Sequence, residues 1–389
     1  VDMAAPDATV NMDMAPVANL QLIPQALATG VYHSCALTAS GAAHCWGSNQ
    51  SGQLGNTTVA MQTTVPVAVS GGLAFAAISG GERQTCALTG AGQAHCWGTG
   101  PELGVGNVAR AMAPTAVMGG ITFRQITAGR LYTCGVGHDG SGYCWGANGS
   151  GELGTDTSPA FPATMPVKIP GGLAFKYIGA GQGDHTCGVT TAGAAWCWGR
   201  NSSGQLGNDT KGAVVRMPVE VKTTVKFTSV GAGDLYSCGL AEDGKIHCWG
   251  GNGAGTLGSS KDGSVDQLVP EPISSTETFK AVAVGGTFAC GLTMAGAAHC
   301  WGDSRNGQTG RGAGMGLPPV VTRATPAPVM GGLAFVALSA GDAHACGITA
   351  EGKAHCWGFN SQGEVGDGST TMVHAVPVAV AGGLTFSVK

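Results

Sequence analysis

Fourteen cysteines stand in seven pairs: Cys35 with Cys45, Cys86 with Cys96, Cys134 with Cys144, Cys187 with Cys197, Cys238 with Cys248, Cys290 with Cys300, and Cys346 with Cys356. Every pair is ten positions apart. Zinc sites draw their thiolates from C-x2-4-C clusters, which the chain lacks, and reactive thiols do not recur at a fixed interval. The stretch HSCALTASGAAHCWG (33–47) shows the remaining chemistry. A Ser-Gly turn centred on Ser40 makes it a hairpin in which Cys35 lies opposite Cys45. Directly opposed residues have Cβ atoms roughly 4.5–5.5 Å apart, which a disulfide closes with a small adjustment. The pairs are therefore read as seven hairpin disulfides worth about 2 kcal/mol each, with reduced, buried cysteines as the alternative. Disulfides on this scale imply an oxidising compartment: extracellular, periplasmic or cell-surface.

The same register pairs large residues with small ones. Opposite the tryptophans stand Ser34, Thr85, Thr133, Thr186, Ser237, Ala289 and Ala345, and opposite His44 and its equivalents stands Ala or Gly. Since side chains alternate along a strand, Trp46 and His44 share one face while the cystine and Leu37 share the other. The equivalent histidines, His95, His247, His299 and His355, invite a metal, but Tyr143 and Trp196 occupy the same position in two units. They are read as packing residues, and neither a metal nor another cofactor is expected. The loops WGSNQSGQLG (46–55), WGANGSGELG (145–154), WGRNSSGQLG (198–207), WGGNGAGTLG (249–258), WGDSRNGQTG (301–310) and WGFNSQGEVG (357–366), with the shorter WGTGPELG (97–104), superficially resemble phosphate cradles. No helix follows to supply a dipole, so Asn and Gly are read as turn residues.

These pieces repeat every 48–56 residues, measured between first cysteines, a period suited to propeller blades. Each unit offers four short strand candidates, in the second roughly 75–79, 85–89, 93–97 and 115–118, and no helical periodicity. Seven such units predict an all-β protein, a seven-bladed β-propeller with four antiparallel strands per blade and one hairpin disulfide in each. The Trp/His face of one blade is expected to pack against the cystine face of the next. Residues 1–18, rich in Ala, Pro, Asp and Met, read as a linker or tethering tail, and 19–389 as the propeller. The start at Val1 suggests removal of a targeting segment. Charged residues make up 11% of the chain and the net charge is −4, which argues against nucleic acid as a partner. Gly, Pro, Thr and Asn interrupt every apolar run, which argues against membrane insertion.

The succession of HSCALT, a Gly turn, HCWG and N-x-x-G-Q-L-G resembles the regulator of chromosome condensation family from about residue 20 to the C-terminus. The resemblance implies a seven-bladed propeller. Members include a nuclear exchange factor for a small GTPase, a plant ultraviolet photoreceptor and a secreted bacterial β-lactamase inhibitor. The cysteine pairs and low charge depart from the nuclear members, which argues against GTPase exchange in the nucleus, while the Ala/Val/Gly-rich composition and the short acidic N-terminal tail look like secreted or lipid-anchored bacterial relatives.

Where the repeat stops repeating, recognition has room. The turns before each first cysteine read VYH (31–33), ERQ (82–84), RLY (130–132), QGDH (182–185), DLY (234–236), GTF (286–288) and DAH (342–344). All seven are expected at one end of the ring near its axis. They supply the candidate binding residues Tyr32, Glu82, Arg83, Arg130, Tyr132, Asp184, Asp234, Tyr236 and Asp342, while the last position of each turn matches a semi-constant, structural histidine of the family. The linker 311–326 is a second candidate contact. The reading is a monomeric, secreted or cell-surface module that binds a protein partner through this rim. The alternatives are an extracellular hydrolase in the axial funnel and a glycan-binding lectin. No catalytic residues are assigned.

Overall fold

A computed structural model describes residues 25–156, 162–259, 265–312 and 323–388. The tail at 1–18 and the centre of the 311–326 linker lie outside them. Seven four-stranded antiparallel sheets are each threaded in chain order from the axis outwards. In blade 1 the strands are β1 (Leu27–Thr29), β2 (His33–Leu37), β3 (Ala43–Ser48) and β4 (Gln62–Ala68). Blades 2–7 begin at Phe75, Phe123, Phe175, Phe227, Phe279 and Phe335. In every blade the two middle strands pair in the register read from the sequence, Cys opposite Cys. All seven disulfides close within their own hairpins: Cys35 to Cys45, Cys86 to Cys96, Cys134 to Cys144, Cys187 to Cys197, Cys238 to Cys248, Cys290 to Cys300 and Cys346 to Cys356. No cysteine is left as a free thiol, so the alternative of reduced, buried cysteines falls away.

The outer strand of blade 2 is Arg110–Ala116, not the 115–118 expected. Pro114 hid it, because proline reads as a strand breaker. All seven outer strands contain proline, at 66, 114, 166, 218, 270, 326 and 377. At a blade's edge the missing N–H leaves no ladder bond unmade.

The blades stack as the alternation predicts, cystine face of one blade against Trp face of the next. The sulfur of Cys86 lies 3.8 Å from the Thr133 hydroxyl, that of Cys187 3.6 Å from Ser237, and that of Cys346 3.8 Å from Ser34 across the ring closure. Each fully buried tryptophan donates its Nε1–H to one loop carbonyl of the preceding blade. Trp97 reaches Gln53 at 2.9 Å, Trp145 reaches Glu102 at 2.9 Å, Trp198 reaches Glu152 at 2.7 Å, and Trp46 closes the ring on Glu364 at 2.8 Å. In blades 1–5 the small residue opposite the tryptophan donates to the same oxygen through its hydroxyl. The loop asparagines hold that carbonyl in place: Asn49 Oδ1 accepts from Leu54 N–H, and Asn148, Asn201, Asn252 and Asn360 repeat the bond. They are turn residues, as read.

Both termini close the ring. β1 supplies the body of blade 1's inner strand, while Phe386 occupies the place held elsewhere by each blade's first phenylalanine. Its N–H donates to Gly352 O at 2.8 Å, as Phe75 does to Gly41 O. It also packs on Trp46 with ring centroids 6.1 Å apart, as Phe75 packs on Trp97 at 5.9 Å.

The residue that opens each second strand is matched to the next blade. Histidines meet hydroxyls: His33 Nε2 lies 2.7 Å from Thr85, His185 Nε2 2.8 Å from Ser237, and His344 Nε2 2.8 Å from Ser34. Phe288 instead packs in one apolar cluster with Ala345. Burial lowers His33 to about 4 and His185 and His344 to about 3 from their ordinary 6.5, so all three are neutral in the fold. Because these folded values lie below the unfolded one, the stability tied to them is complete above about pH 6.5 and is lost as pH falls through the folded values. Ser34→Ala is expected to strand His344 Nε2 and cost about 1–3 kcal/mol in denaturant unfolding. Adding His344→Phe, which rebuilds the arrangement of Phe288 on Ala345, should recover most of that loss. The double variant should also lose stability less steeply than the wild type as pH drops from 6.5 towards 4.

Candidate functional site

Near the axis the blades converge until only small residues fit. Gly30, Gly81, Gly129, Gly181, Gly233, Gly285 and Gly341 take the same position in successive blades. A Cβ on Gly81 would stand 2.4 Å from Gly129 O, and one on Gly341 2.2 Å from Gly30 O. The residue after each glycine donates its backbone N–H across to the next blade: Val31 to Gly81, Glu82 to Arg130, Arg130 to Gly181, Asp234 to Gly286, Gly286 to Gly341 and Asp342 to Gly30, at 2.9–3.4 Å. In blade 4 Gly183 makes the bond, to Gly233 at 3.1 Å. Its turn is one residue longer, and Gln182 is the extra residue.

This belt fixes seven equivalent backbone positions around a mouth of about 420 Å³ at one end of the axis. Their side chains are Val31, Glu82, Arg130, Gly183, Asp234, Gly286 and Asp342. The turns thus bring together Tyr32, Glu82, Arg130, Asp184, Asp234 and Asp342 at the mouth. Tyr32 is exposed there, whereas Arg83, exposed and paired with Glu82, is not part of the mouth lining. Tyr132 and Tyr236 are not at the mouth: each is 1% exposed inside a blade interface. Their hydroxyls donate to His185 O at 2.6 Å and to Phe288 O at 2.5 Å. They open second strands, where alternation turns the side chain onto the neighbouring blade, so they do the work of the equivalent histidines.

Five mouth residues are not among the candidates read from the sequence: Val31, Gln182, Gly183, Arg200 and Leu235. Arg200 follows Trp198-Gly199 at the end of a third strand. The hairpin register, which pairs Gly199 with His185, puts that position at the turn end of the sheet. There Arg200 N–H donates to Asp184 O at 2.8 Å and the guanidinium lies 3.6 Å from the Asp184 carboxylate.

The electrostatics are uneven. Glu82, 12% exposed at its side chain, is held between Arg83 at 3.3 Å and Arg130 at 2.8 Å. Among the described residues no ion pair closes on Asp234 or Asp342. Burial chiefly, with Asp342 and Asp184 adding repulsion against the pull of Arg130, lifts the Asp234 carboxyl to about 6. Burial also raises Asp342, against Arg130 and with Glu82. The five equivalent histidines lie apart from this mouth. Four of them, His95, His247, His299 and His355, sit edge-on to the first phenylalanine of their own blade.

Behind the mouth a second cavity of about 510 Å³ runs between the inner strands, lined by small residues such as Ala28, Ser79, Ala128, Gly179 and Gly231. Gln182 lines both spaces. Arg130→Ala should raise the Asp234 titration above its value near 6, and that of Asp342 with it, in carboxyl carbon NMR. An unmoved Asp234 would show that Arg130 does not govern the field at the mouth.

Comparison with known proteins agrees with this architecture. Two descriptions of the regulator of chromosome condensation (RCC1) repeat match the chain, one at residues 25–53, 175–205, 227–256, 279–308 and 335–364 and the other at 40–88, 192–240 and 243–292. The ultraviolet-B receptor UVR8 of Arabidopsis thaliana is 32% identical over 224 residues, which cover 56% of this chain and 49% of the receptor. The human E3 ubiquitin-protein ligase HERC2 is 28% identical over 346 residues, 86% of this chain but 7% of the ligase. The chain therefore spans about half of one relative and a small part of the other. Among solved structures, Prp20p of Saccharomyces cerevisiae, studied for its binding to Gsp1p and histones, superposes with a TM-score of 0.73 at 22% identity, covering 81% of this chain and 80% of its own. The CRINKLY ectodomain of the Arabidopsis thaliana receptor kinase ACR4 gives 0.55 at 19% identity, covering 92% and 98%. With the repeat matched in six of the seven blades and the ring complete, the chain belongs to the RCC1 repeat family of seven-bladed propellers.

Proposed function

We propose that this propeller is a secreted or cell-surface protein-interaction module whose partner docks on the rim around the axial mouth. One observation carries the reading. Seven backbone positions locked by the same inter-blade bond bear Val, Glu, Arg, Gly, Asp, Gly and Asp, a variety that neither the belt nor the blade packing requires. Outside this ring, Tyr32 and Leu235 are 42% and 39% exposed, and Arg83 is exposed in its ion pair with Glu82. Aromatic and Arg side chains on a rigid rim are what protein recognition favours. Seven intrachain disulfides agree with an oxidising compartment. Among the described residues no helix is long and apolar enough to cross a membrane. The ACR4 ectodomain shows the same fold in an extracellular setting, and Prp20p is a relative in fold studied for binding other proteins.

The alternative is an extracellular hydrolase, for which Asp234, held near 6, suits a general acid. The mouth lining among the described residues contains no Ser, Thr, Cys or His. A glycan lectin would present one recurring aromatic per blade, and the rim varies instead.

The rim reading is tested by capture from the native extracellular medium followed by affinity measurement on the purified partner. Tyr32→Ala, Arg83→Glu and Leu235→Ala combined should weaken binding at least tenfold. Lys245→Ala and Glu242→Ala, on the hairpin turn at the opposite end of blade 5, should leave it unchanged. Equal binding by the rim variant would move the interface elsewhere.

A further inference from the structure

We propose that the axial mouth is a socket for a single arginine side chain presented by the partner protein, with Asp234 and Asp342 as its counter-ions and Gln182 as the acceptor at its floor. This rests on the rim reading and names the chemistry it recognises.

Four carboxylates surround the mouth, and the structure neutralises two of them. Glu82 is bridged by Arg83 and Arg130, and Asp184 faces Arg200. Asp234 and Asp342, which lie in the same lining, have no such partner among the described residues. Two half-buried carboxylates repelling each other are a cost to folding. Such a cost at a rim that packing leaves free to vary marks a binding site more readily than a scaffold feature.

Gln182 supplies an independent sign of a ligand. The residue is only 7% exposed, and its Oε1 has no hydrogen-bond partner. An orphaned buried acceptor costs about 1–3 kcal/mol unless something donates to it. The one-residue lengthening of the blade 4 turn is what puts this group at the neck between mouth and inner cavity, while Gly183 keeps the belt intact.

The three acceptor groups ask for a cation with several N–H donors. Among the described residues no group of three or more His, Cys, Asp or Glu is placed to hold a metal ion. A guanidinium offers five donors in a plane wide enough to reach separated oxygens, whereas an ammonium is a compact point charge. Tyr32, exposed at the edge, adds a ring face that favours such a cation. Arg130 is tied to Glu82, and its charge acts on Asp234 and Asp342 from one side.

The field implies a pH dependence. Asp234 is faced by Asp342, Asp184 and Arg130, with Glu82 and Arg200 completing the lining. With Asp234 titrating near 6, acid removes a counter-ion, so arginine should bind less well as pH falls from about 7.5 to about 5.

The test uses the full isotope-labelled chain and three blocked peptides, Gly-Arg-Gly, Gly-Lys-Gly and Gly-citrulline-Gly, followed by amide NMR. The arginine peptide should shift Gly183, Asp234, Leu235 and Asp342 saturably, at least threefold more tightly than the lysine peptide and tenfold more tightly than the uncharged citrulline isostere. Asp234→Asn with Asp342→Asn, which removes two half-buried charges that repel each other and so should fold normally by circular dichroism, should abolish the response. Gln182→Ala should weaken it severalfold, and Arg130→Ala, which deepens the negative field, should strengthen it at about pH 8, where both carboxylates stay ionised. Equal response to citrulline, shifts centred away from the mouth, or an unaffected double variant would overturn the socket. Partner capture separates the two readings. Capture lost on changing Tyr32, Arg83 and Leu235 but unchanged in the double Asn variant would retain the rim and refute the socket.

Discussion

One carbonyl oxygen per blade holds this ring together. It lies in the loop after the third strand, is positioned in five blades by an asparagine side chain, and accepts the indole N–H of the next blade's tryptophan, with a hydroxyl from the same neighbour in five of seven cases. A buried indole donor needs a partner, and a loop carbonyl buried against it needs a donor. Neither group can be satisfied within its own blade. Each unit therefore finishes its hydrogen bonding only when the next is seated, and the last only when the circle closes. That need explains the divided inner layer of blade 1, where Phe386 arrives from the opposite end of the chain to cover Trp46.

A ring stabilised this way leaves its axial rim free to vary. The glycine belt uses backbone atoms alone, so it makes no demand of its own on which side chain each of those positions carries. Asp234 and Asp342 exploit that latitude at a cost, since a carboxyl lifted to about 6 opposes the folded state wherever it is ionised. The compensating stability comes from the invariant part of each blade. The mouth can carry unpaired charge because the tryptophans, loop carbonyls and matched His–hydroxyl contacts lie elsewhere.

Much of this was legible in the cysteine spacing. A fixed spacing of ten about a turn determines cross-strand register. Register with alternation then determines which face carries tryptophan and which carries sulfur, and hence how blades stack. Tyr132 and Tyr236 show where the reading had to be carried one residue further: grouped with the turns they look like rim aromatics, but they begin strands and obey strand alternation. Arg200 was legible from the same register, as a residue one step past a pair already aligned. Gln182 was visible as a longer turn, but its orphaned oxygen was not, because only the placement of neighbouring blades shows that nothing else reaches it. Ring closure depended likewise on both ends of the chain meeting in space.

The disulfides do a narrower job than their number suggests. Every one joins strands that are already neighbours, and none links two blades. They shorten the unfolded chain only locally and add nothing covalent to the contacts that close the circle. Their effect is to hold each hairpin in the register that presents tryptophan on one face and cystine on the other, so that a blade meets its neighbour with its surface already arranged. Assembly of the ring is then a matter of docking seven prepared surfaces. The rim inherits its rigidity from that preparation, since the turn that carries each mouth residue runs directly into the strand whose cysteine is bridged.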